Sequence, residues 1–312
     1  MKVVIVGGSG FIGKNLALEL ARKGQEVLIF DKSEPEYYGK NMNYNIRYYK
    51  GDLVQHDNLE EVLQRNDVVV HLISTSFPNN SNINIYNDAK GNILPSLALL
   101  EACVKKGVQR VVFASSGGAI YGLRETVPIS EEAPTNPVSA YGIHKLVTEK
   151  YMELISRLYG IRTIALRIAN PYGIGQIPFR GQGIVSTALA SALLGKKMQV
   201  WGDGQAVRDY IYISDVVNAF VQAICYNGSE AVFNIGSGIG RTINDLLCDV
   251  ETGSGKKLEV EYISPTSAEV GKNVLDCSKA KKELKWSPDI DFNSGITMML
   301  DQWDEGMQRF GF

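Results

Sequence analysis

Short apolar runs alternate with longer amphipathic stretches through the first half of the chain, and this alternation predicts the architecture. Val3–Val6, Glu26–Phe30, Asp67–Ile73, Gln109–Ser116 and Thr163–Ile168 read as buried strands, because each is built on a short, largely apolar run. A shorter strand is expected from Asn45, ending in Asp52. Between the strands, Leu16, Ala17, Leu20 and Ala21 recur with helical spacing up to Gly24. Residues 58–64 read as helix, and residues 77–87, rich in Asn and Ser with Pro78, as loop. Asp88 to Val104 reads as a long helix with Leu94, Leu97, Ala98, Leu100 and Ala102 on its apolar side and a kink at Pro95. Residues 125–137, with Pro128, Pro134 and Pro137, form a surface excursion. Ser139 then opens a helix running to Tyr159. Strands alternating with helices predict an α/β fold: a doubly wound parallel sheet with a ligand site at the carboxyl ends of its strands.

The second half is less regular. Residues 198–212 read as strand, tight turn, strand; 214–226 as helix; 232–236 as strand; 257–263 as a short strand; and 292–307 as a closing helix. The expected division is a dinucleotide-binding domain over 1–168, rejoined by 209–236, and a smaller mixed α/β substrate-binding cap formed by 169–208 and 237–312.

The first strand runs into Gly7-x-x-Gly10-x-x-Gly13, and the second delivers Asp31. Glycines in this register permit a tight turn and let backbone N–H groups approach a pyrophosphate, which the following helix N-terminus attracts. Asp31 suits the two ribose hydroxyls of an adenosine and opposes a 2′-phosphate, which favours NAD over NADP; Lys32 beside it softens that repulsion. Asp52 can reach an adenine amino group and Leu53 can cover its ring, although an acid there also suits a helix cap or turn. Asn92 faces away from the apolar side of its helix and could cap the cofactor. Tyr141 and Lys145 are four residues apart on one helix face. A nearby ammonium, together with a positive nicotinamide ring, is expected to favour the phenolate over the phenol, and so to make Tyr141 a proton acceptor.

Composition adds exclusions. The 312 residues carry a formal net charge of -2, which points to neither nucleic acid nor an anionic membrane surface. No apolar run is long enough to span a bilayer and no leader pattern is seen, so a cytoplasmic protein is expected. Cys103, Cys225, Cys248 and Cys277 are scattered and read as reduced thiols. His56, His71 and His144 match no ligand spacing, so no metal site is expected; His71, ending a strand, reads as a core histidine bonded to backbone.

Taken in order, Gly7-x-x-Gly10-x-x-Gly13, Asp31, Asp52-Leu53, Ser115-Ser116 before Tyr121-Gly122, Tyr141-x-x-x-Lys145, Arg167-x-x-Asn170-x-Tyr172-Gly173 and Arg208-Asp209-Tyr210-Ile211 resemble the extended short-chain dehydrogenase/reductase family. Within that family the sequence is most similar to nucleotide-sugar epimerases of the UDP-glucose 4-epimerase type. The resemblance implies an NAD-dependent Rossmann enzyme that inverts C4 of a UDP-hexose, UDP-N-acetylhexosamine or UDP-uronate through a transient 4-keto sugar. It assigns the base to Tyr141, with Lys145 as its partner and Ser116 at the sugar hydroxyl. Phe11 and Ile12 would present N–H groups to the pyrophosphate. Leu72, Asn92, Ser115 and Lys145 would line the remainder of the cofactor. Asn170 and Arg208 would hold the substrate diphosphate and Trp201 the uracil. A homodimer through the helices of Asp88 and Ser139, and a role in polysaccharide precursor supply, are further implications. Gly117 stands where the family usually has a hydroxyl, and Thr266 and Glu269 where many relatives carry Arg and Asp. A 4,6-dehydratase is disfavoured by Gly117-Gly118-Ala119, and a keto-sugar reductase by Asp31. A non-catalytic dinucleotide sensor is the alternative of another class.

Overall fold

The computed structural model describes residues 1–34, 44–55, 59–78, 80–264 and 271–303. In chain order the elements are β1 (Lys2–Val6), α1 (Phe11–Arg22), β2 (Glu26–Asp31), β3 (Ile46–Lys50), β4 (Val68–His71), α2 (Ile85–Lys106), β5 (Arg110–Ser116), α3 (Gly117–Ile120), α4 (Ala140–Tyr159), β6 (Arg162–Ile168) and β7 (Asn170–Tyr172). There follow α5 (Ile184–Leu194), β8 (Met198–Trp201), β9 (Val207–Tyr212), α6 (Ile213–Cys225), β10 (Val232–Ile235), β11 (Gly240–Thr242), α7 (Ile243–Ser254), β12 (Val260–Ile263), β13 (Lys272–Asn273) and α8 (Phe292–Asp301).

Seven strands form one parallel sheet in the order β10-β6-β5-β4-β1-β2-β3. The strand order reverses between β1 and β4, and a crevice at such a reversal is where doubly wound sheets take their ligands. The winding can be followed along β1. Val3 and Ile5 join one apolar cluster with Leu16, Leu20, Val216 and Phe220 of α1 and α6. Val4 and Val6 join another with Leu99, Cys103, Met152 and Ile155 of α2 and α4. All four β1 residues are fully buried, each such side chain contributing about 1.5–3 kcal/mol. The α1/α6 core continues without a break into the second half, through Val185 and Leu189 of α5 and Leu246 and Val250 of α7.

Several local expectations change. The loop before α2 is shorter than its polarity suggests, because Asn84 caps the helix by accepting from Asn87 N at 3.0 Å. Leu94 is 52% exposed, while Leu100 and Ala102 are buried as expected and Leu99 and Cys103 join them. Where residues 58–64 read as helix there is only a 3₁₀ turn at Leu59–Glu61, pinned by buried Leu59, Val62 and Leu63. β8 and β9 are not paired with each other: β8 pairs with β12 in a two-stranded sheet, while β9 lies beside β7, β11 and β13. Long-range pairing therefore overrides the local strand–turn–strand pattern. β10 and α6 return to the large sheet, whereas β9 belongs to the smaller one. His56, Thr266 and Glu269 lie outside the described residues.

Candidate active site

The glycine turn sits on one side of the crevice. Gly7 has φ +87°, and a Cβ there would stand 2.9 Å from the backbone N of Ile73, which follows β4. A Cβ on Gly13 would stand 2.6 Å from Gly8 Cα, so only glycine lets α1 approach the turn this closely. Gly10 is the N-cap of α1. Among the described residues no side chain caps this end, and the first turn, which begins with Phe11 and Ile12, carries no acid. Those first-turn N–H groups suit an anion. The Asp31 carboxylate accepts from Ser9 N at 3.0 Å, fixing the acid beside the turn, while Lys32 is exposed. Asp52 turns the chain after β3 by accepting from Val54 N at 2.9 Å, and Leu53 is buried against the adjoining core. On the opposite side, Leu72 N donates to Val6 O at 2.8 Å, which keeps the exit of β4 against β1. This cradle fits a dinucleotide: glycine where a Cβ would intrude, free helix N–H groups, and an acid placed for ribose.

Tyr141 lies at the second position of α4, just after the Ser139 cap, whose hydroxyl accepts from Gly142 N at 3.1 Å. The Ser116 hydroxyl, at the end of β5, stands near enough to its phenol to act on the phenol's acidity. Lys145, one turn on, has its Nζ 5.5 Å from the Tyr141 ring centroid and 4.7 Å from that of Phe113, and donates to Ala114 O at 2.9 Å. The structure thus brings the three proposed catalytic side chains together at one strand end.

In the chain alone, burial acts on both groups. Burial pushes the Tyr141 phenol up to about 12, with the Ser116 hydroxyl opposing. Burial also brings the Lys145 ammonium down to about 7, against the pull of Glu149. Desolvation penalises both charged forms, so in the chain alone it outweighs their attraction. A cation bound beside the phenol would shift the balance back toward phenolate.

Gly117, where a hydroxyl was expected, has a steric reason to be glycine. A Cβ there would lie 2.4 Å from Leu275 Cδ1 and 3.0 Å from Arg167 O. Leu275 fills that space, and the hydroxyl that meets Tyr141 comes from the preceding residue. Gly117→Ser is therefore expected to cost about 1–3 kcal/mol through overpacking, measured by urea denaturation. In a Leu275→Ala background, which has its own cost, Gly117→Ser should cost much less than it does in the wild type; an equal cost in both backgrounds would rule out the steric reason.

Two of the expected cofactor residues also have partners within the chain. Ser115 is 4% exposed and its hydroxyl donates to Glu149 Oε1 at 2.6 Å, so it serves the packing of α4. Asn92 is 4% exposed; its Oδ1 accepts from Thr75 N at 2.9 Å and its Nδ2 donates to Asp88 O at 2.9 Å, so it holds residues 75–76 in place from behind. His71 is a core histidine as expected, but its partner is the Ser96 hydroxyl at 2.8 Å, not backbone.

Beneath the site lies a polar network that local pattern did not single out. Arg167 on β6 donates to both oxygens of Glu149 on α4, at 3.1 and 2.7 Å, and to the Tyr121 hydroxyl at 3.0 Å. Tyr121 donates in turn to Asn234 Oδ1 at 2.6 Å. Burial works against the Arg167 charge, but Glu149 and Tyr121 outweigh it and hold its proton above the ordinary value. One signal was available: Glu149 stands four residues after Lys145 and eight after Tyr141, on the same helix face.

On the smaller sheet, Asn170 is paired with Tyr210 in register, and its Nδ2 donates to Asp209 O at 3.0 Å. Arg208, two residues before Tyr210 on β9, has its Nη1 3.0 Å from Val207 O. Asp209 is fully buried and accepts from Ser237 N and Oγ, Gly238 N and Leu275 N at 2.6–3.2 Å, so its carboxylate ties the β10–β11 loop to the segment after β13. Trp201 shares no sheet with Asn170 or Arg208; it is 49% exposed on β8, paired with Ile263. Among the described residues no His, Cys, Asp or Glu group could hold a metal, and no helix is long and apolar enough to cross a membrane.

A parallel sheet with a glycine-turn anion cradle and a Tyr–Lys–Ser group at the next strand ends defines a dinucleotide-dependent oxidoreductase-type site. Residues 3–236 match the family model described as NAD dependent epimerase/dehydratase family, and the chain belongs to that family. The chain is 33% identical to a dTDP-4-dehydro-6-deoxyglucose reductase of Escherichia coli, over 96% of either chain. It is similar to the crystal structure of a Thermotoga maritima UDP-glucose 4-epimerase with UDP-glucose, with TM-score 0.92, 35% identity and coverage of 98% of this chain and 100% of the other. A Thermus thermophilus UDP-glucose 4-epimerase in complex with NAD gives TM-score 0.90, 30% identity and coverage of 97% and 99%.

Proposed function

We propose that this chain is an NAD-dependent 4-epimerase of a UDP-linked hexose, N-acetylhexosamine or uronate. The observation that carries the reading is Tyr141 with Lys145 one turn on, its Nζ 5.5 Å from the ring, and with Ser116 near the phenol, set beside the glycine cradle. NAD, when bound, supplies the oxidising ring against which a sugar carbon can be reversibly oxidised. Gly7, Gly10, Phe11, Ile12 and Gly13 hold its diphosphate, Asp31 its adenosine ribose, and Asp52 and Leu53 its adenine. Lys32 borders the ribose site and Leu72 the middle of the cofactor. Tyr141 takes the proton of the sugar's 4-hydroxyl and returns it once the 4-keto sugar has presented its other face. Ser116 orients that hydroxyl, and Lys145 stabilises the phenolate. Asn170 and Arg208 hold the diphosphate, for which a guanidinium fork is well suited, and Trp201 holds the base.

A second reading, a keto-sugar reductase, is favoured by the 33% identity to the dTDP-sugar enzyme; Asp31 beside the turn disfavours the NADPH such an enzyme would more often want. One experiment separates the readings: incubation with a panel of UDP-hexoses, UDP-N-acetylhexosamines and UDP-uronates without added reductant. An epimerase interconverts one C4 pair with no net change in the cofactor. Turnover that consumes reduced cofactor in proportion to product would point to the reductase, and no interconversion across the panel would count against the epimerase.

A homodimer through α2 and α4 is part of the same reading. These helices pack together on one face of the sheet, yet Tyr86, Leu94, Ile143, Leu154 and Leu158 remain 43–76% exposed on them, an apolar surface suited to a second copy. Sedimentation equilibrium should give twice the chain mass, and Leu154→Glu with Leu158→Glu should give the monomer. The setting we propose is cytoplasmic, with the product feeding polysaccharide precursors.

A further inference from the structure

Between the tyrosine and the lysine of α4 stands a side chain that the chemistry above does not use. His144 is 3% exposed, and its Nδ1 lies 2.9 Å from Oδ2 of Asp88 on α2, a carboxylate itself 6% exposed. The imidazole meets the Tyr141 ring edge-on, with centroids 5.1 Å apart and planes at 75°. Asp88 is a junction. Its other oxygen accepts from the Ser76 hydroxyl and from Asn92 Nδ2 at 3.3 Å. Asn92 in turn fixes Thr75 through its backbone N–H. One carboxylate therefore joins the first turns of α4 and α2 to residues 75–76, which lie beyond the end of β4, across the crevice from the glycine turn.

The proton inventory fixes the direction of these bonds. A carboxylate only accepts, so His144 donates from Nδ1, and its Nε2 is left as a bare lone pair. That nitrogen is buried and without a partner among the described residues. An orphaned acceptor is costly, and an aliphatic side chain would fill the same space without it. The imidazole is better suited to aiming a ring than to filling a gap.

We propose that the Asp88–His144 pair is a positioning device for Tyr141, setting its ring against the residue 75–76 segment. This rests on Tyr141 being the base. Neither side chain of the pair touches the reacting atoms; each acts through the tyrosine.

The test uses the full chain with NAD and the UDP-sugar that the wild type turns over. His144→Asn keeps an amide N–H near the place of Nδ1, whereas His144→Gln carries it to the place of Nε2, out of line with Asp88. His144→Asn is expected within about threefold of wild-type kcat. His144→Gln is expected to lose roughly 10²-fold in kcat at unchanged KM, as for a misplaced reacting group. Thermal melts confirm that both variants are folded. In the chain alone, ¹⁵N imidazole shifts should show His144 as the neutral Nδ1–H tautomer. Equal kcat for the Asn and Gln variants, a loss confined to KM, or an Nε2–H tautomer would each overturn the proposal. If Tyr141→Phe keeps its activity, the fault lies instead with the assignment of the base.

Discussion

Tyr141→Phe should lower kcat on the preferred UDP-sugar by roughly 10²–10⁴-fold, the usual range for a positioned acid–base group, while the protein still binds NAD. The substitution removes one hydroxyl. The ring keeps its edge contact with His144 and its place in the first turn of α4, so the fold has little reason to change. What is lost is the group that Ser116 orients and that Lys145, 5.5 Å from the ring, can stabilise as phenolate. A phenol held up at about 12 by burial is a poor proton acceptor until a cation stands beside it. The effect should therefore be largest in turnover and small in NAD affinity. Initial rates with NAD-loaded protein, together with the nucleotide released on denaturation, read both quantities. Activity within tenfold of wild type would remove Tyr141 from the chemistry.

Removing either half of the Arg167–Glu149 pair should destabilise the chain by about 3–5 kcal/mol. Both side chains are buried, at 6% and 7% exposed, and they join β6 to the helix that carries the proposed catalytic residues. Glu149→Leu would leave a buried guanidinium facing only the Tyr121 hydroxyl, and Arg167→Leu would leave a buried carboxylate with Ser115. Replacing both together takes the uncompensated charge away, so the double variant should be more stable than either single one. Urea denaturation of the three variants is the measurement. Additive losses would mean that the two side chains contribute independently and that no pair energy exists. Glu149 also helps keep Lys145 charged, because its carboxylate opposes the fall caused by burial, so the Glu149 variant should lose turnover as well as stability.

Much of the site was legible because its determinants are local. Gly7, Gly10 and Gly13 act through the backbone of their own turn, Asp31 ends the strand that follows, and Tyr141 and Lys145 are neighbours by helical geometry. The reading became less accurate wherever a side chain's partner lay far along the chain. The bond from Ser115 to Glu149, 34 positions later, could not be read from β5. Nor could the bond by which Asn92 braces Thr75. Gly117 looked like a missing hydroxyl until Leu275 was found in its place.

The amino-acid sequence by itself determined the winding of the large sheet, the cradle at its first turn and the Tyr–Lys face, since alternation, turn chemistry and helical spacing act over a few residues. Only the tertiary structure decided which strands of the second half pair, why Ser116 and not residue 117 meets Tyr141, and that Asp88, His144, Glu149 and Arg167 stand behind the site. Those outcomes depend on burial and on contacts between distant segments, which set both the space available and the strength of each charge.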